Sequence, residues 1–126
     1  MTDKHFELLR QLEDGWNGEK SIKPYPYLLN VCSYIVSELE KNHNIIPPTV
    51  HPVINGFIDF NWDSIGLHCL LEIDNNIIHL SIHKIPKIAL TVEDIIMLDF
   101  EFKLEKGVED KIVEVVVNEY FSKLNE

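Results

Sequence analysis

The residues best suited to chemistry gather in one stretch, Gly56 to His83, which holds His68, His79 and His83 together with Asp59, Asn61 and Glu72. If this stretch folds as antiparallel strands, His68 and His83 stand opposite each other with Asn61 in the same row. Directly opposed side chains on a sheet sit about 4.5–5.5 Å apart at Cβ. Two imidazoles at that distance could share a zinc or copper ion, with Glu72, His79 or Asp59 as further ligands. The same pair could instead act as a pH-sensitive contact, because histidine titrates close to neutrality. A zinc site normally takes three or four ligands, and the register aligns only two, so ordinary polar positions on a sheet face remain the competing reading.

The register follows from the alternation of apolar and polar residues. Ile58, Phe60 and Trp62 alternate with Asp59, Asn61 and Asp63, which predicts one buried and one wetter face. A turn at Ser64-Ile65 sets Trp62 against Leu67, Phe60 against Cys69 and Ile58 against Leu71. A second turn at Asn75-Asn76, a pair tolerant of positive φ, sets Ile73 against Ile78, Leu71 against Leu80 and Cys69 against Ile82. Both turns place every expected core residue on one face. A slip of one residue in either hairpin would undo that agreement.

Composition limits the remaining possibilities. A chain of 126 residues that is 45% hydrophobic suits a single domain, 1–126, with one core. No apolar run approaches the ~20 residues needed to span a membrane. The N-terminal stretch carries no signal-peptide hydrophobic region, so a cytoplasmic protein is expected. Cys32 and Cys69 lack metal-ligand spacing and read as buried free thiols. The net charge of −10 argues against binding a nucleic-acid backbone. Residues 93–126 hold ten acids and four lysines, a net of −6. This is either a solvated face or a surface that docks on a basic protein, with Asp99, Glu101, Glu105, Glu109 and Asp110 as its contacts. The sequence contains no G-x-S-x-G, Walker loop, G-x-G-x-x-G or H-E-x-x-H, and no catalytic residue is assigned. The pairs Glu93-Asp94 and Glu109-Asp110 fall at expected helix starts, where carboxylates favour the helix dipole.

The rest of the chain supplies the cover for the sheet. Thr2 to Leu12 reads as a helix with Thr2 or Asp3 as its cap, ended by Gly15. Gly15-Trp16-Asn17-Gly18 reads as a turn that plugs an aromatic ring into the core. Pro26 to Asn42 reads as a second helix whose stripe, Leu28, Cys32, Ile35, Val36 and Leu39, covers the apolar sheet face. Pro47-Pro48 enforces an extended connection, and Thr49–Ile54 reads as an edge strand because it contains Pro52. Asn55-Gly56 marks a hairpin into the meander. Thr91 to Asp94 has the pattern of a capping box opening a helical turn through Met97. Leu98, Phe100, Phe102 and Leu104 then alternate with charged residues, which favours a strand over a continuing helix across 91–105. A last helix spans about Val108 to Asn125. Its wide apolar face suggests burial on two sides, one of which could be a homodimer interface through Val113, Val117 and Phe121.

Trp16, Asn17, Gly18, Pro24, Pro52, Gly56, Ile58, Phe60 and Trp62 form a spaced motif. Over roughly residues 8–83 the chain resembles a group of small uncharacterised bacterial proteins with a W-[D/N]-G turn, a proline-led helix and a G-x-I-x-F-x-W β-meander. It departs from them at Glu19 and Lys20, where that group favours Tyr-Gly. The resemblance implies an α+β fold and brings no activity with it.

These readings converge on an α+β domain. An antiparallel meander of four or five strands carries two N-terminal helices and one C-terminal helix on one face. The expected function is a non-enzymatic, protein-binding role in a small acidic bacterial or phage protein, of the antitoxin, immunity or anti-defence inhibitor kind, with no cofactor. The alternatives are a zinc-dependent enzyme or sensor built on His68, His79, His83 and Glu72, and a self-associating structural domain.

Overall fold

The computed structural model describes residues 2–88 and 91–126, with side chains from residue 4 onward. The elements are α1 (Thr2–Arg10), α2 (Pro26–His43), β1 (Thr49–Pro52), β2 (Ile58–Trp62), β3 (Leu67–Asp74), β4 (Ile77–Lys84), β5 (Ile96–Lys103) and α3 (Val108–Leu124). The strands form one antiparallel sheet in the order β1-β2-β3-β4-β5, so each pairs only with its sequence neighbours.

The expected register holds at both central hairpins. Trp62 faces Leu67, Phe60 faces Cys69 and Ile58 faces Leu71. Cys69 faces Ile82, Leu71 faces Leu80 and Ile73 faces Ile78. The turn before β3 is a 3₁₀ turn, Asp63–Ile65, closed by Gly66 in the left-handed region at φ 69°. Asn75 and Asn76 both take positive φ, 49° and 62°, as a tight hairpin with the right twist requires. The Asn55-Gly56 hairpin differs from the simplest two-residue form. Val53 N–H donates to the Phe57 carbonyl at 2.9 Å and Gly56 N–H to the Val53 carbonyl at 2.9 Å. The loop therefore spans Ile54 to Gly56, and Val50 pairs with Phe60.

All three helices share one core with one side of the sheet. Phe6 and Leu9 of α1, the α2 stripe of Leu28, Cys32, Ile35, Val36 and Leu39, and Ile112, Val116 and Tyr120 of α3 are buried with Phe60, Leu71, Leu80 and Ile82. Each fully buried Leu, Ile or Phe adds about 1.5–3 kcal/mol relative to exposure. Trp62 anchors one end, donating its indole N–H to the Ile46 carbonyl at 2.7 Å and packing edge-on against Tyr120 at 5.3 Å. Proline at the first turn of α2 removes one of the N–H groups that a helix start leaves unpaired, and Asn44 ends that helix in the left-handed region.

Three sequence expectations change. Trp16 is only half-buried and stands outside the core, its indole N–H donating to the Ile22 carbonyl at 2.8 Å, so it braces its own loop. The capping box at Thr91 and Asp94 is present, but it opens a single 3₁₀ turn, Val92–Asp94. Met97 lies in β5, where the alternation through Phe102 prevails over helix continuation. The second buried side of α3 faces α2 within the chain, and Val113 belongs to the core at 6% exposure. Only Phe121 and Leu124 of α3 remain as exposed large apolar side chains. The expected Thr2 or Asp3 cap falls on side chains outside the described residues.

Candidate functional site on the open sheet face

The alternation that buries one side of the sheet fixes what the other side carries. One row crosses all five strands as Thr49, Asn61, His68, His83 and Met97. The next is His51, Asp59, Leu70, Ser81 and Asp99. A third holds Glu72, His79 and Glu101, flanked by Phe57. Four of the chain's histidines thus occupy one face.

Asp59 is the electrostatic centre of this face. Its Oδ1 is buried and is the one such side-chain atom without a hydrogen-bond partner among the described residues. Burial pushes the carboxyl above the ordinary carboxylate range, while the neighbouring His51 and His68 pull it back down and Asp63 adds to the rise. Beside it lies a hollow of about 270 Å³ whose polar lining is Asp59, Asn61, His68, Ser81 and His83. His68 turns its Nε2 to Asp63 Oδ1 at 3.2 Å. In the third row His79 Nδ1 sits 3.7 Å from Glu101 Oε1.

The proposed metal ligands divide into two opposed pairs, His68 with His83 and Glu72 with His79. The Leu70–Ser81 row lies between them, so the two pairs stand about 13 Å apart along the strand. Among the described residues no group of three or more His, Cys, Asp or Glu side chains comes close enough to hold a metal ion. Cys32 and Cys69 are free thiols inside the core, and burial raises the pKa of both.

The five acidic positions also divide. Asp99 and Glu101 are exposed on the open face of β5. Glu105 follows the strand and pairs with Lys111 at 2.5 Å, which holds its carboxyl below the usual range. Glu109 and Asp110 occupy the first turn of α3, where they favour the helix dipole. Asp110 Oδ1 accepts the Tyr34 hydroxyl at 2.5 Å, tying α3 to α2. The first pair faces the histidine rows, and the other three are engaged at the start of α3.

His51 belongs to this site and was missed from sequence. The signal was the Asn55-Gly56 turn, whose three-residue loop sets His51 opposite Asp59. No helix among the described residues is long and apolar enough to cross a membrane. No protein-family model, curated protein or solved structure matches this chain.

Proposed function

We propose that this protein is a non-enzymatic interaction module. It docks on a basic protein partner through the open sheet face and its acidic β5 margin, and by occupying that partner regulates or inhibits it. Antitoxins, immunity proteins and anti-defence inhibitors act in this way. The observation that carries the reading is the asymmetry of the sheet. Three helices cover one side, and the other is uncovered by them, polar, and edged by the exposed carboxylates Asp99 and Glu101. A net charge of −10 adds long-range attraction for a basic surface.

The test is a gentle purification of the tagged protein from its native cells, beside an Asp99→Lys/Glu101→Lys variant and a Glu109→Lys control. The expected result is a stoichiometric basic partner, released by about 0.5 M salt as screening shortens the reach of the charges. That partner should be absent with the double variant and kept with the control. Retention on the double variant, or no partner at all, would sink the reading.

The direct opposition of His68 and His83 favours one second reading, a zinc-binding sensor or enzyme. It predicts zinc in the purified protein and a melting temperature that rises on adding zinc, both lost in His68→Ala/His83→Ala. Metal-free protein whose melting is indifferent to zinc would dismiss it.

A further inference from the structure

Strand β5 is the long free edge of the sheet, whereas the opposite edge, β1, has four residues and ends in Pro52. On the helix side of β5, Leu98, Phe100 and Phe102 are only half-buried. Their partners on β4, Ile82, Leu80 and Ile78, are 0% exposed. The core therefore thins out along β5. The backbone of β5 is open as well. Leu104 N–H donates to the Asn76 carbonyl at 3.1 Å, which continues the β4–β5 ladder and sets its phase. Even-numbered residues of β5 turn their N–H and C=O groups to β4, and Met97, Asp99, Glu101 and Lys103 turn theirs outward. These outward groups have no backbone partner among the described residues.

Such an edge invites another strand, and the charges select which. A second copy is disfavoured. The two-fold antiparallel pairings that match the faces and overlap most of β5, centred on Asp99 or Phe100, set Asp99 against Asp99 or Asp99 against Glu101. Directly opposed like charges destabilise a sheet. We propose that β5 receives a sixth strand from the partner: an extended segment with basic side chains beside Asp99 and Glu101 on the open face, and apolar side chains between them against Leu98, Phe100 and Phe102. This deepens the docking reading above and rests on it. Main-chain bonds to the outward groups supply affinity, and the alternation of charge and bulk supplies selectivity.

The probe is an end-capped nine-residue peptide alternating valine and lysine, with a valine–glutamate peptide as control, added to the full-length protein. The lysine peptide should bind and slow hydrogen exchange at least tenfold at the amides of Met97, Asp99, Glu101 and Lys103. The glutamate peptide should do neither. Asp99→Lys/Glu101→Lys should reverse that preference. Met97→Pro removes one outward donor, spares both acids and leaves the β4 ladder intact. It should weaken lysine-peptide binding about tenfold relative to Met97→Ala, with an unchanged circular dichroism spectrum as the check on folding. Binding that depends on the two acids but leaves these amides unprotected and ignores Met97→Pro would overturn strand addition while sparing acidic docking. Absence of binding would overturn strand addition outright, and the purification with the charge-reversed variant then decides docking by itself.

Discussion

Gly66 and Ile85 meet backbone to backbone. The Ile85 N–H donates to the Gly66 carbonyl at 2.8 Å, and a Cβ on Gly66 would lie 2.5 Å from the Ile85 carbonyl oxygen. That same oxygen accepts the ammonium of the buried Lys123 at 2.6 Å, so it is held from the other side by α3. Gly66 also needs φ 69°, which side-chain-bearing residues rarely adopt. Gly66→Ala is therefore expected to destabilise the fold by about 2 kcal/mol or more. Urea unfolding measures it, and a loss under ~0.5 kcal/mol would show that the junction yields.

The Tyr34 hydroxyl is expected to titrate late. Its hydrogen bond to Asp110 and the charges of Asp110, Glu38 and Glu109 push it up to about 12. A difference absorbance titration of the wild type against Asp110→Asn should show one tyrosine moving back toward the ordinary value near 10. Superimposable curves would disprove the link between the two helices.

Asp59→Asn is expected to stabilise the protein at pH 7.5–8. Burial raises the Asp59 pKa, so the folded chain binds this proton more readily than the unfolded chain does. The wild type thus carries a penalty above the raised pKa that fades as pH falls through it. The gain should be on the order of 0.5 kcal/mol, discounted because the carboxyl is only part-buried, and should vanish toward pH 4. A gain that grows on acidification would contradict the sign.

Neither cysteine should react with an aromatic disulfide reagent at pH 8 until denaturant is added. Both thiols are buried, and burial raises their pKa, which keeps the reactive thiolate scarce. Rapid reaction of either thiol in the native protein would point to local opening around the α2–β3 contact.

The central register was legible because alternation and turn chemistry agree at both ends of β3. Moving either turn by one residue would have buried Asp59 or His68. The strand character of β5 was legible for the same reason, in Leu98, Phe100 and Phe102. The extent of the Thr91 turn was not, since a capping box signals a start and contains nothing about length. Trp16 misled because an aromatic between glycines is compatible both with a plug and with a brace, and only the path of the chain to Ile22 decides. At the site, the facing of His68 and His83 follows from register, which is periodic. The orphaned oxygen of Asp59 and the turn of His68 toward Asp63 depend on rotamers and on the fall of a neighbouring loop, which periodicity does not encode.

The neighbour-only pairing of the strands has a consequence for how the chain is made. Each strand from β2 onward finds its partner in the segment just synthesised, so the sheet can lengthen in step with translation. The core cannot close in step, because Ile112, Val116 and Tyr120 lie on α3, which follows all five strands. A nascent chain halted before α3 should therefore display an assembled but protease-sensitive sheet whose apolar side is covered by α1 and α2 alone. Emergence of α3 is then the event that converts it to the resistant protein, and pulse proteolysis of stalled chains of graded length would show whether resistance appears in that one step.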